Sequence, residues 1–252
     1  MSTAATPVPE APASMSTLGR FVGVFFSPKE TFASIAQHPT WIAPLILLSI
    51  IGLTVICFFA QRVGWRSYIE RQIEQNPSAQ KRMERVPADQ RDGVIQQQVK
   101  FWGWFSYVIP IAGTFLGAVI VGAVLLGAFS LLSGTKVGFV RSLSIVSWAW
   151  MPLAIHGLLG LLIMFLKDPA TIDIKNLVAS NPGALLPDDA AKWLSSLLTS
   201  LDIFTFWVMA LMAMGYSATN PKKISFGKAF GTVVGVWLIW VLLSVGAAAA
   251  FS

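Results

Sequence analysis

The chain has 252 residues, of which 55% are hydrophobic and only 12% charged. That charged share is about half of what a soluble domain carries, and with a mean hydropathy of +0.66 it excludes a disordered chain, a coiled coil and a disulfide scaffold. Net charge is +6, yet the bases lie between apolar segments and follow no zinc-finger, basic-helix or RNA-binding pattern. Basic loops at an anionic membrane surface account for them, and nucleic acid is not an expected partner.

Residues 1–17 form an Ala/Pro/Ser/Thr tail with no Lys, Arg or apolar core. Such a segment reads as disordered and lacks the parts of a cleavable secretory signal. The first apolar run therefore reads as an uncleaved anchor. Before it, Ser27, Pro28 and Glu30 make a helix start, with Ser as N-cap, Pro in the first position and Glu closing a capping box. Phe32, Ile35 and Ala36 then share one face, and Pro39 ends the segment. Too short to cross a bilayer, it suits an amphipathic helix lying in the interface.

A span needs about 20 apolar residues to cross about 30 Å of hydrocarbon. The first is 41–60. Residues 61–100 then hold eight bases and five acids in short stretches of helical spacing, an extramembrane loop with interfacial helices. The uncharged stretch of 35 residues from Phe101 to Thr135 is too long for one span, so Pro110 should divide an aromatic lead-in from a span at 111–132. The third span is 142–166. A second extramembrane loop, 167–200, precedes spans at 203–219 and 229–251. The expected fold is all-α: an integral membrane five-helix bundle occupying 18–252.

Two turns between spans are related. Lys136 to Leu143 and Lys223 to Phe230 both read Lys, β-branched, small, Phe, any, basic, small, large apolar, at an offset of 87. Trp150 and Trp237 pair at the same offset. Spans two-three and four-five thus read as parallel repeats, an arrangement found in transporters. Both turns carry only basic charges, which puts them and the N-terminus in the cytoplasm, although eleven of the 18 Lys and Arg fall on the other side.

These residues carry a resemblance. Phe26-Ser27-Pro28, Phe32, Ile35, Pro39, Trp41, Pro44 and Leu45 resemble the opening of the bacterial branch of the Yip (Ypt-interacting protein) domain superfamily. Gly138-Phe139 through Arg141 to Trp148-Ala149-Trp150-Met151-Pro152 is similar to its third-helix pattern, and Met214-Gly215, Ser225-Phe226 and Lys228-Ala229 continue the match. The resemblance implies a five-helix domain with its N-terminus in the cytosol. Eukaryotic members sit in Golgi and endoplasmic-reticulum membranes, interact with Rab-type GTPases and one another, and assist vesicle formation. Their Asp-Leu-Tyr-Gly-Pro-type motif is absent here. The tail and the Ser-Pro start look bacterial, so the expected location is a bacterial inner membrane.

Among intramembrane residues, His156 follows Pro152 by about one turn, and an ionisable side chain at that depth is a functional candidate. The bland reading is a histidine satisfied between helices. Gly113 and Gly117 form a G-x-x-x-G pair that suits helix packing, within the chain or in a homo-oligomer. No zinc-protease, nucleophile-elbow or phosphate-loop signature occurs, so no enzyme activity, metal or cofactor is expected. The favoured reading is a scaffold or adaptor. Its Lys136, Arg141, Lys222, Lys223 and Lys228 would meet anionic lipid head groups or a protein partner. A small-solute transporter or channel built from the two repeats is the rival.

Overall fold

The computed structural model describes residues 15–187 and 190–250, so most of the 1–17 tail lies outside the described residues. Every regular element among them is a helix. In chain order these are α1 (Thr17–Phe26), α2 (Pro28–Gln37), α3 (Ile42–Arg62), α4 (Trp65–Gln75), α5 (Pro77–Glu84) and α6 (Arg91–Val108). There follow α7 (Thr114–Ser133), α8 (Phe139–Ala149), α9 (Pro152–Leu166), α10 (Lys192–Ser200), α11 (Ile203–Thr219) and α12 (Phe226–Ala250).

Four stretches are long and apolar enough to cross a bilayer: Ile42–Arg62, Ala88–Ser133, Phe139–Leu166 and Phe226–Ala250. The pair α10 and α11, bent by 48°, makes a fifth if counted as one span. Outward-facing Leu116, Ile120, Leu131, Ile239 and Leu242 suit lipid contact.

The second span differs most from its sequence expectation. Pro110 does not break it. The helix widens into a π turn over Ile109–Gly113, which absorbs the missing N–H, and Thr114 donates its hydroxyl to the Pro110 carbonyl at 2.7 Å. The continuous run of 46 residues is about 69 Å long at 1.5 Å per residue, so it must project well beyond the hydrocarbon. Its projecting start packs with α4, within the segment read as a loop. Arg66 pairs there with Glu70 and Asp92. Hydrogen bonding to that guanidinium, and its charge, hold the Asp92 carboxyl below the usual range. Pro110 itself rests on Gly52 of α3, where a Cβ would come within 2.9 Å of the proline ring.

Close packing at small residues sets the centre of the bundle. Gly215 of α11 lies against Ile145 of α8 and Phe32 of α2, with Phe32 Cδ1 only 2.9 Å from where a Cβ would stand. Gly122 of α7 passes the Leu143 backbone, and Ser142 donates to the Gly122 carbonyl at 2.6 Å. The same hydroxyl meets Tyr216, whose ring stacks on Phe129 at 4.1 Å. Core side chains Trp148, Ile145, Leu211 and Ile35 close around this point. A smaller cluster, built on Phe59, Tyr68, Ile69 and Met164, holds the opposite end.

At the N-terminal side, the Ser-Pro start predicts α2 but not α1. Ser16 caps α1, accepting from the Gly19 N–H at 3.1 Å. Ser27 must also end α1, donating its N–H to the Gly23 carbonyl, and its side chain makes no cap bond to α2. Glu30 is consequently exposed and closes no capping box. Phe32, Ile35 and Ala36, expected to face lipid, are buried, and α2 packs on α8 and α11. The exposed apolar face belongs to α1 instead, where Leu18, Val22 and Phe26 stand four residues apart.

One junction ties these pieces together. Arg20 of α1 is 97% buried, the complement of its 3% exposure, and donates to Thr40 Oγ1 at 2.7 Å and Ser34 Oγ at 3.2 Å. The Trp148 indole of α8 donates to the Thr40 carbonyl at 2.7 Å, with Phe21 of α1 against its ring at 4.9 Å. Thr40 therefore receives both polar groups at the elbow between α2 and α3.

Three outcomes follow. Gly215→Ala should lower stability by about 1–3 kcal/mol through overpacking, whereas Gly113→Ala, where the nearest atom is Ile109 Cγ2 at 3.5 Å, should be near neutral; thermal unfolding in detergent compares them. Trp148→Phe leaves the Thr40 carbonyl without its donor and should cost about 1–3 kcal/mol by the same assay. The lowered Asp92 pKa means that its bridge stabilises α4 on α6 above the usual carboxylate value of about 3.9 and loses that effect as pH falls below it. The amide protection of these two helices, corrected for the intrinsic pH dependence of exchange, should fall as pH drops from 5 to 3, by a small factor because both side chains are exposed.

Candidate functional site at the basic end

The α7–α8 turn, the α11–α12 turn and the start of α2 meet at one end of the bundle. Each turn is shaped by where its residues can go. Val137 and Ile224 are 2% and 1% exposed and plug into the core, whereas Phe139 and Phe226, two residues on, are 42% and 46% exposed. Gly134 and Gly138 have φ of 58° and 79°, so the first turn needs residues that tolerate the left-handed region. Asn220 closes the second, its carbonyl accepting from the Lys223 and Ile224 N–H groups.

Between that second turn and α2 lies a cavity of about 560 Å³. Met214, Ala218, Pro221 and Ile224 form its apolar lining, with Ser217 and Ser225 as polar groups and Lys29 on its edge. Lys136, Lys222, Lys223 and Lys228 are exposed at the same end, and Arg141 is half-buried. Glu30 is the one described acid there. Among the described residues no group of three or more His, Cys, Asp or Glu stands close enough to hold a metal. Chemically, an apolar groove with an ammonium group on its edge and others exposed nearby suits apolar groups in its middle and acidic ones at its rim.

The remaining residues singled out in the sequence scatter. Gly117 lies against Trp150, at 3.2 Å from where a Cβ would stand, while Gly113 is exposed, so the pair forms no single packing face within the chain. Pro152 is buried between α8 and α9. His156 is half-buried at the other end of the bundle, edge-on to Phe204 at 5.1 Å between ring centroids. It shares nothing with the basic end.

Sequence reading missed Arg20. Burial draws its pKa down, although a guanidinium keeps its charge at any ordinary pH. Nothing in LGRFVG marks this arginine as the inward one. Its i, i+3, i+4 companions Gly23 and Val24 are the only signal, visible once Leu18, Val22 and Phe26 are assigned to the opposite face.

The comparisons with known proteins agree with this arrangement of apolar helices. The family model of the Yip1 domain matches residues 22–248. No curated protein and no solved structure matches the chain. The match runs from the middle of α1 into the last turn of α12, taking in all the apolar helices and both basic turns. With nearly its whole length inside that match, the chain belongs to the Yip1 domain family.

Proposed function

We propose that this Yip-family membrane protein is a non-enzymatic scaffold or adaptor that works through its basic end. The observation that carries the reading is the apolar groove between α2 and the α11–α12 turn, with Lys29 on its edge and Lys222, Lys223 and Lys228 exposed in and beside that turn. Lys29, Lys222 and Lys228 supply charge for an acidic protein surface or anionic head groups, while Phe226 and Met214 supply apolar contact.

The orientation follows from charge. Between the N-terminus and the two turns, this end carries seven bases against the two acids Glu10 and Glu30, and the other end carries eleven bases against ten acids. Only the first creates a strong positive field, which suits the anionic cytoplasmic leaflet of a bacterial inner membrane. The exposed Leu18, Val22 and Phe26 face of α1 lies beside it and would rest in that leaflet's interface.

Native purification from mildly solubilised membranes, with mass spectrometry, tests this. The expected result is one stoichiometric protein partner that is lost when Lys222, Lys223 and Lys228 are changed to Ala, while the melting temperature stays within a few degrees. Purification of the wild-type chain alone, or partner retention by the triple variant, would sink the scaffold reading.

A further inference from the structure

At the opposite end of the bundle, a second cavity of about 290 Å³ opens where α3, α9, the 174–181 segment and the α10–α11 bend meet. Gly157, Gly160, Val55 and Leu177 make its apolar walls. The glycines matter because a Cβ on Gly160 would come within 2.7 Å of Leu177, and one on Gly157 within 2.6 Å of Ile51. The polar residues are His156, Asn176, Asn181, Thr199 and Asp202. No Lys or Arg is among the described residues that line it, so the formal charge on its wall is negative.

Asp202 is held rigidly. It breaks the α10–α11 helix, and its Oδ1 accepts from the Phe204 N–H at 2.8 Å. Oδ2 accepts from the Ser180 hydroxyl and, at 3.4 Å, from the Asn181 amide. The Ile203 N–H, freed by the break, donates to the Ser180 carbonyl at 3.2 Å. Asn181 Oδ1 is buried with no partner among the described residues. Because α10 packs along the membrane span α12, this irregular backbone lies beside the bilayer, where it is tolerated only when it lines a polar cavity or is buried in protein.

We propose that this cavity binds a protonated primary amine, carried on the head group of an aminophospholipid or on a small soluble molecule. The Asp202 carboxylate supplies the negative charge, and His156 and Asn181, which line the same cavity, are further polar groups for the N–H donors of an ammonium group. The glycine-lined wall takes the methylene arm. A trimethylated ammonium has no N–H to give to Asp202. A glycerol head group brings no charge to Asp202.

The full-length protein, purified in detergent and exposed to equimolar ethanolamine, choline and glycerol phospholipids, reports the head group it retains by native mass spectrometry. The ethanolamine lipid should be enriched about tenfold, the worth of one charged hydrogen bond. Asp202→Asn keeps an N-cap acceptor for Phe204 while removing the charge and the acceptor for the Asn181 amide, and should abolish the enrichment with a modest fall in melting temperature. If the source is soluble instead, free ethanolamine should raise the melting temperature of delipidated wild type and not of Asp202→Asn, with no lipid selected. Equal retention of all three lipids together with no response to free ethanolamine overturns the proposal, and needs no variant to fold. Enrichment that survives Asp202→Asn overturns it as well.

Discussion

The architecture hangs on a buried guanidinium with neutral partners. Arg20 sits in a chain whose neighbouring elements are largely apolar, and it is met by two hydroxyls, Thr40 and Ser34. Burying a charge is costly unless hydrogen bonds offset it. The two terminal nitrogens of Arg20 find these hydroxyls, while Nε is buried without a partner among the described residues. The two bonds tie α1 to the α2–α3 elbow, and the Trp148 indole on the Thr40 carbonyl extends the contact to α8. With the elbow fixed, α2 cannot swing out to lie on a membrane surface. Its apolar face is committed to α8 and α11, and the surface-seeking face passes to α1.

That arrangement decides what each end of the molecule can do. At one end, two short turns push their β-branched residues inward and leave phenylalanines and lysines outside. The charge there is exposed, with Glu30 the one described acid beside it. At the other end, acids and bases are nearly matched, and polar groups are organised by broken helices instead of loops. The α8–α9 break at Pro152, the π turn at Pro110 and the α10–α11 bend at Asp202 each spoil a regular hydrogen-bond ladder. Neighbouring hydroxyls and carbonyls repair it. Such repairs are what a bundle in lipid requires, because no water is at hand to do it.

Much of this was legible. Charge-free runs located the long apolar helices because burying Lys or Glu in hydrocarbon is costly, and Ser27-Pro28 marked α2 because proline favours the first turn of a helix. The Yip resemblance rested on residues that turn out to sit at contacts: Gly215 between Ile145 and Phe32, and Trp148 on Thr40. Pro110 misled, because proline removes one hydrogen bond from a helix but does not forbid a π turn when Gly52 gives the ring room. Residues 61–100, read as an extramembrane loop with interfacial helices, form α4, α5 and the start of α6, and it is the packing of α4 on α6 that composition could not show.

The linear chain by itself determined the solvent of this protein, the number of apolar crossings within one, and the accumulation of basic charge at two similar turns. These are sums over local composition, and they survive any rearrangement of the helices. Only the tertiary structure decided which face of each helix is inside, that Arg20 turns inward while Leu18 and Phe26 turn out, and that His156 shares a cavity with Asp202, 46 residues away. Facing and proximity depend on which helices touch. In a membrane the hydrophobic effect favours no particular contact between apolar helices, so close-packed glycines and buried hydrogen bonds select them.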